Sequence, residues 1–309
     1  MYNKKIMTHL TEEHPMANNS YGKRLGDRKD GRQLRSLEPA QRFAVYAMPR
    51  RSDACNSFAD SLEVTELERW LLQKRGEGCK NMGLAHLMAA AYVRTAAVCP
   101  AVNRFVSGRR IYARNDIQVV LNVRRGSTGD APMTRIKIFC TPTDTIYDVY
   151  RRINDAIDEV LSGTGETDFD RSVGALVRLP RFLMRWCMGL LRFMDHHDWL
   201  PRSLLEASPY HGSLSISDLG SLGVGPVEHH IYDFGNLPCF LSFGAKRRCW
   251  ENDSEGNLHE KRYVDYRVTC DERIADGVLY TTALRCFKHL LKNPSLLELP
   301  PERTEDDVN

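Results

Sequence analysis

Three carboxylates stand close together in the stretch TCDERIADG, residues 269–277. Asp271 and Glu272 follow an alternating apolar run, and Asp276 precedes a glycine. A carboxylate at the end of a strand can act as a general base when burial raises its pKa. An aspartate before a helix can instead accept hydrogen bonds from the first turn. The stretch predicts a candidate base at Glu272, with a solvated carboxylate or one paired with Arg273 as the alternative, and a helix cap at Asp276.

Two histidine pairs are further candidates for chemistry. MDHHDWLP contains His196 and His197, and VEHHIYDFG contains His229 and His230. Adjacent side chains on a helix or strand diverge, so neither pair predicts a metal site, and we expect no metal cofactor. His230 has a second reading, as a histidine oriented by the carboxylate of Asp233. The sequence contains no P-loop, dinucleotide fingerprint, zinc-protease motif or nucleophile elbow.

An alternating series of helices and strands must position these side chains. VTELERWLLQKR has capping-box spacing between Thr65 and Glu68, and apolar residues recur every 3.6 positions after Thr145. DIQVVLNV and TRIKIFC read as a β-hairpin, and GSLSIS, CFLSFGA and YVDYRVTCD read as strands. A final helix ends at Asn293 and Pro294. The pattern predicts an α/β fold.

The length and composition of the chain indicate how many domains it forms. The chain has 309 residues, 42% hydrophobic and 27% charged, and no linker divides it, so we expect one domain over residues 38–300. Residues 1–37 predict a mobile polar arm, or alternatively an arm that contacts phosphate, and residues 301–309 predict a solvated acidic tail. The basic residues of that arm are Lys23, Arg24, Arg28, Lys29, Arg32 and Arg35.

The net charge indicates which binding partners to expect, and the cysteines indicate the cellular compartment. A net charge of +3 does not favour nucleic acid or an anionic membrane as the main partner. Nine cysteines without a C-x-x-C pair predict reduced thiols in a cytoplasmic protein, and the first twenty residues lack the core of a signal peptide. The apolar segment 181–194 is too short to span a bilayer and predicts a packed or inter-subunit helix, with a membrane-surface helix as the alternative.

Several stretches, taken in order, resemble a known family. They are HLMAAAYVRTAAVCPAVNRFVSGRRIYARNDIQVVLNV, then GSLSISDLGSLGVG, then VTCDERIADG leading into LRCFKHLLKNPSLL. Together they resemble the acyltransferase catalytic core of 2-oxo acid dehydrogenase complexes, which has the chloramphenicol acetyltransferase fold. The resemblance covers roughly residues 34–299 and is weakest around residues 165–210. It implies a two-layer α/β sandwich with a mixed sheet and helices packed on one side.

The resemblance also implies roles for individual residues. The family moves an acyl group between dihydrolipoamide and coenzyme A, at a site between neighbouring subunits of a trimer. Ser217 falls on the serine that stabilises the oxyanion, and Asp276 falls on the aspartate that holds the loop. Glu272 falls where the family has its catalytic histidine, so His211 and His230 are secondary candidates for a replacement imidazole. The sequence shows no lipoyl-lysine hairpin, so we expect a stand-alone homotrimer or an assembly of trimers.

The glutamate changes the chemistry that this site can perform. A thiol with a pKa near 8.5 lies about 4 units above an ordinary glutamate, so proton transfer is uphill by about 5.7 kcal/mol, against about 2.7 for histidine. A protonated carboxyl group is also neutral, and it gives the oxyanion no positive charge. A carboxylate therefore fits an amine or hydroxyl acceptor better than a thiol, unless burial raises its pKa.

Two hypotheses of different class follow. The first is an acyltransferase that acts on acyl-CoA or another thioester with Glu272 as base and Ser217 as oxyanion donor. The second is a catalytically inactive scaffold or ligand-binding protein that keeps the trimer. A peripheral membrane or nucleic-acid contact through the basic arm and the helix around Trp186 is a third alternative.

Overall fold

The computed structural model describes residues 24–124, 133–162 and 168–309. Its helices are α1 (Pro39–Ala47), α2 (Thr65–Gly76), α3 (Leu84–Val98), α4 (Ile146–Ser162), α5 (Asp168–Val177), α6 (Arg181–His196), α7 (Arg202–Ala207) and α8 (Gly277–Lys292). Its strands are β1 (Gly31–Gln33), β2 (Cys55–Glu63), β3 (Arg104–Ser107), β4 (Arg110–Arg114), β5 (Ile117–Arg124), β6 (Met133–Cys140), β7 (Leu214–Asp218), β8 (Cys239–Asn252) and β9 (Leu258–Asp271).

A six-stranded mixed sheet forms the centre of the fold, in the order β2-β9-β8-β7-β5-β6. The pairs β5-β7 and β7-β8 are parallel, and the other neighbours are antiparallel. The predicted hairpin is confirmed as β5-β6, although its turn, residues 125–132, lies outside the described residues. The predicted α/β fold with a mixed sheet is likewise confirmed.

Alternation along the strands separates an apolar face from a polar one. Leu121 and Ile216 are buried on the face against which α3, α4 and α8 pack. Burying each such side chain contributes about 1.5–3 kcal/mol, which makes this layer the main source of stability. Asn122 and Ser217, one residue further along each strand, therefore point to the opposite face. The polar face of the sheet is therefore the expected location of a functional site.

Several residues of the predicted arm and tail make internal contacts, although most of the tail is exposed as predicted. Arg28 is buried and its side chain bonds Asp30 and Asp195. Arg32 donates to the backbone carbonyls of Asp307 and Val308, so the first and last segments of the described chain hold each other. A second sheet, in the order β1-β4-β3, includes part of the predicted arm. These arginines serve internal contacts, while Lys23 lies outside the described residues.

The capping box predicted at Thr65 is wrong. The cap of α2 is Val64, without a side-chain hydrogen bond. The Thr65 hydroxyl accepts from the backbone N–H of Arg262, and the Glu68 carboxylate pairs with Arg262 and Lys246. The side chains of Thr65 and Glu68 therefore bind residues on β8 and β9 instead of the N-terminus of α2.

The helix α6 also departs from its predicted packing. None of its residues is buried, and Phe182 and Trp186 are exposed. Within the chain it is therefore not a packed helix, and its role between subunits stays a prediction. No helix in the described ranges is both long enough and apolar enough to cross a membrane.

Candidate functional site

A buried ion pair shapes the loop that follows β9. The Arg273 guanidinium donates to both carboxylate oxygens of Asp271, at 2.8 Å from Nε and 2.7 Å from Nη2. The backbone N–H of Arg273 adds a third bond to the same carboxylate at 3.1 Å. Both side chains are almost completely buried. The loop therefore closes on Asp271, and the predicted alternative pairing of Glu272 with Arg273 is wrong.

Residues far apart in the chain hold this loop against the domain. Arg104 donates from Nη1 to the carbonyl of Ile274 at 3.1 Å, and Gln41 donates to the same carbonyl at 3.0 Å. The Tyr280 hydroxyl donates to the carbonyl of Asp271 at 2.7 Å. Two stretches that sequence order had linked, PAVNR and DERIADG, thus meet in space.

Asp276 caps α8. Its Oδ1 accepts from the backbone N–H of Leu279 at 2.8 Å, and its backbone is extended, as at an N-cap. The prediction of a helix cap at this position agrees with the geometry. The carboxylate is exposed, so its described contact serves the helix terminus and the loop rather than a buried catalytic centre.

Replacing Asp276 with alanine is expected to lower the free energy of unfolding by about 1 kcal/mol, because one first-turn N–H loses its partner. Asp276→Asn keeps an acceptor oxygen and serves as the matched control, with an expected loss of only a few tenths of a kcal/mol. Urea unfolding followed by circular dichroism measures both variants. Equal losses in the two would show that the cap does not hold this helix.

Glu272 lies on the surface of the chain. Its backbone N–H donates to the carbonyl of Ala54 at 2.8 Å, which fixes the loop position. Its side chain is exposed, and among the described residues it has no hydrogen bond or ion pair. The desolvation that would strengthen this carboxylate as a base does not come from the described residues of its own chain.

Ser217 lies on the polar face of the sheet, near the end of β7. It is buried, and its Oγ accepts a hydrogen bond from Asn122 Nδ2 at 3.0 Å. A hydroxyl that accepts from an amide keeps its own proton available for donation. Asn122 on β5 was not singled out in the sequence. Its place beside Ser217 depends on the parallel pairing of two strands separated by about ninety residues.

Strand register places Ser217 and Glu272 far apart. Ser217 is in register with Ser242 on β8, and Ser242 is in register with Arg267 on β9. Glu272 follows Arg267 by five residues. Two strand spacings and five residues of extended chain give a separation of about 19 Å. One chain therefore does not bring the two residues into a common site.

His211, a secondary candidate, belongs to a buried polar cluster. Its Nδ1 lies 2.9 Å from Ser208 Oγ, and its Nε2 lies 3.4 Å from a carboxylate oxygen of Asp195. Burial lowers the pKa of His211 more than the Asp195 carboxylate raises it. It precedes Ser217 by six residues along the chain, which places it toward the other end of β7. The structure does not bring it to Ser217.

His230 does not have the partner predicted for it. The Asp233 carboxylate accepts from the backbone N–H and hydroxyl of Ser52, at 3.1 and 3.3 Å. The exposed His230 ring instead contacts Tyr232 edge-on, with ring centroids 5.1 Å apart.

Its neighbour His229, which the sequence reading set aside, lies 5.6 Å from the Phe240 ring. Its Nε2 is buried and has no hydrogen-bond partner in the part of the chain that the structure describes. Burial, with smaller contributions from His230 and Arg135, lowers its pKa. The two adjacent histidines were visible in the sequence, but their spacing did not indicate which of the two side chains is buried.

Comparison with known proteins identifies the fold. No protein-family model matches the sequence, and no curated protein matches it. A probable dihydrolipoamide acetyltransferase from Listeria monocytogenes is similar at 13% identity over 85% of this chain and 95% of that chain, with a TM-score of 0.52. A truncated catalytic core of the 2-oxoacid dehydrogenase multienzyme complex from Thermoplasma acidophilum is similar at 13% identity over 85% and 99%, with a TM-score of 0.52.

The dihydrolipoamide acetyltransferase of Azotobacter vinelandii is similar at 13% identity over 86% of this chain and 94% of that chain, with a TM-score of 0.51. At such identity the likeness shows the fold alone. The chain has the architecture of acyltransferase catalytic cores, as the sequence resemblance implied, and its activity has to be argued from its own residues.

Proposed function

We propose that the protein transfers an acyl group from a thioester such as acyl-CoA, at a site formed between neighbouring subunits of a homotrimer. The observation that carries this proposal is the Ser217 hydroxyl on the polar face of the sheet, which accepts from Asn122 and keeps its own proton to donate. The fold shared with acyltransferase cores supports the same reaction class.

Ser217 acts as the oxyanion donor. When the acceptor attacks the thioester carbonyl, the negative charge that develops on oxygen needs a hydrogen bond already in place. The bond from Asn122 fixes the Ser217 oxygen and directs its proton elsewhere. Among the described residues no base is bonded to this hydroxyl, which argues against Ser217 as a nucleophile.

Glu272 acts as the base, supplied by the neighbouring subunit. Its carboxylate is exposed and unpaired among residues 24–124, 133–162 and 168–309, so it is available to face another chain, and a subunit contact would remove it from water. Such burial raises the pKa of a carboxyl group toward that of the proton it must take. The separation of about 19 Å within one chain, obtained from strand spacings, makes the boundary between subunits the place where the two can meet.

The reaction then runs in balanced steps. Glu272 takes a proton from an amine or hydroxyl acceptor as the acceptor attacks the thioester carbon. The tetrahedral oxyanion accepts a hydrogen bond from Ser217. As the tetrahedral intermediate collapses, the carbon–sulfur bond breaks. The departing thiolate then receives from Glu272 the proton that came from the acceptor. An acceptor of this kind can use a carboxylate base, because a neutral amine or hydroxyl attacks before it is deprotonated and its proton becomes acidic only as the new bond forms.

Asn122→Ala is expected to lower kcat about tenfold, because the lost hydrogen bond, worth about 1–1.5 kcal/mol, no longer orients Ser217. The KM for acyl donor should change little, since Asn122 acts through Ser217 and not on the donor. Gln118→Ala on the same strand is the matched control, and it should keep wild-type kcat. A kcat unchanged in Asn122→Ala would contradict the positioning role.

The function itself is tested by CoA release. The purified protein is incubated with acetyl-CoA and panels of thiol, amine and hydroxyl acceptors, and free CoA is measured. We expect release with an amine or hydroxyl acceptor, and less with thiols. Saturable binding of acetyl-CoA without release across all three panels would overturn the proposal and favour the inactive ligand-binding scaffold.

A further inference from the structure

A cavity lined by arginines lies where several elements converge near the end of β9. It has a volume of about 370 Å³. Its wall includes the turn between β3 and β4, the C-terminal part of α6, and the segment just before β2. We call it the arginine pocket, and its cationic residues are Arg50, Arg51, Arg109, Arg192 and Arg273.

Positive charge in the arginine pocket exceeds the negative charge available to balance it. Five arginines line it, and the lining aspartates are Asp195 and Asp233. Asp271, behind the wall, already balances Arg273 and lies 3.7 Å from Arg51. Asp195 is already paired with Arg28 at 3.0 Å, and Asp233 accepts two hydrogen bonds from Ser52. The other three arginines, Arg50, Arg109 and Arg192, have no ion pair among the described residues, and a bound anion would supply their partner.

Rim arginines are free to contact a ligand. Among the described residues, the guanidinium groups of Arg50 and Arg192 have no hydrogen bond and no ion pair, although Arg50 acts on Asp233 through its charge. Arg109 lies over the Tyr46 ring, 5.7 Å from its centroid, and uses none of its donors there. Each of the three can offer a planar pair of N–H groups to a phosphate.

The floor of the pocket supplies a second, independent observation. Arg51 is only 8% exposed, and within the described ranges its buried Nε has no hydrogen-bond partner. Its other two nitrogens donate to the carbonyls of Gly235 and Val106, and the Nε itself lies 3.7 Å from Asp271 Oδ2, an ion pair beyond hydrogen-bond distance. A buried guanidinium that lacks one full hydrogen bond is costly, and its positive charge at the base of the pocket favours an anion there.

Backbone strain at the rim points the same way. Arg109 has φ of 59°, in the left-handed region, next to Gly108 with φ of 57°. Two such residues form the tight turn of a hairpin, where asparagine or glycine is usual. An arginine in this conformation is strained, and strained residues of this kind cluster at binding sites. The strain is consistent with a side chain kept for its charge.

We propose that the arginine pocket binds a small phosphate-bearing molecule through a diphosphate or an equivalent pair of anionic groups. The volume suits a ligand of that size, and guanidinium forks match phosphate oxygens two at a time. The proposal does not depend on acyl transfer, because binding is measured without turnover. Free phosphate esters and the diphosphate of CoA share this chemistry, so the test has to separate these sources.

The test is calorimetric titration of inorganic pyrophosphate into the full chain at constant ionic strength. We expect saturable binding, weakened at least tenfold in Arg192→Gln and in Arg50→Gln. Arg185→Gln is the matched control, because Arg185 is exposed on the same helix but does not line the pocket, and it should bind as wild type does. No saturable binding, or wild-type binding by both pocket variants, would overturn the proposal.

Competition then identifies the source of the phosphate. Displacement of pyrophosphate by CoA, and not by ADP, would assign the pocket to CoA itself. Displacement by ADP and CoA alike would assign it to nucleotide diphosphates in general, and displacement by neither would assign it to a smaller phosphate ester. Each of these results supports an anion site in the pocket, and failure to bind leaves the CoA-release test unaffected.

Discussion

Mixing subunits that carry Ser217→Ala with subunits that carry Glu272→Gln is expected to restore activity that neither variant has alone. Ser217→Ala should lose about 10²–10³-fold in kcat, the usual effect of removing one oxyanion donor. Glu272→Gln should lose about 10²–10⁴-fold, the contribution of a positioned general base. The restoration follows from geometry, because each site would take its base from one chain and its serine from the next.

The activity expected to return in the mixture is a fixed fraction of the wild-type activity. When the two variants assemble at random in equal amounts, about one quarter of the interfaces of a cyclic trimer join an intact Glu272 to an intact Ser217. The mixed sample should therefore reach about one quarter of wild-type CoA release, a value that follows from cyclic symmetry. Measurement needs co-refolding or co-expression, followed by the same release assay with the preferred acceptor.

Two controls make the result decisive. The doubly substituted chain mixed with wild type at equal amounts should give about one quarter of wild-type activity if sites lie between subunits, and about one half if each site lies within a chain. A mixture of the single variants no more active than its better component would contradict the shared site. Loss of activity in His229→Asn, with activity retained in Glu272→Gln, would move the role of base to His229.

The sequence predicted those parts of the site that depend on neighbours in the chain. Asp276 precedes a glycine and an amphipathic run, and these local features are enough to predict the cap observed on Leu279. The fold was predictable for a similar reason, since alternating and helical patterns repeat within each segment and their order matched a known architecture. Ser217 was placed by that order and not by any property of its own strand.

Contacts between distant segments of the chain could not be predicted from the sequence. Arg51, Arg109, Arg192 and Arg273 meet in one pocket although they come from four separate parts of the chain, and no spacing rule connects them. The charge partner of Arg273 was predicted wrongly because adjacent residues were considered first. In the folded turn the carboxylate two positions earlier, Asp271, faces the guanidinium, and Glu272 points outward.

Asp271→Asn is expected to lower the free energy of unfolding by about 3–5 kcal/mol, because it leaves buried cations without their counter-charge. Asp271 is 1% exposed and accepts both guanidinium bonds of Arg273, with Arg51 at 3.7 Å. Asparagine keeps the shape and one acceptor oxygen but not the charge. Urea unfolding, with the midpoint and slope fitted separately, gives the change.

A surface pair supplies the control for this prediction. Asp265 and Arg247 also form a close ion pair, with Nε to Oδ2 at 2.9 Å, but both side chains are more than a third exposed. Asp265→Asn should therefore cost less than about 1 kcal/mol. Arg273→Lys keeps the charge but loses the two-point geometry, so its cost should fall between the other two.

The ranking of these three variants decides what holds the loop. A loss in Asp271→Asn as small as that in Asp265→Asn would mean that Arg104, Gln41 and Tyr280 fix the loop without the ion pair. The expected order instead makes the buried charge the element that sets the turn after β9. Because that turn directs Glu272 outward and keeps Arg273 in the wall of the arginine pocket, one ion pair would then position both the proposed base and part of the proposed anion site.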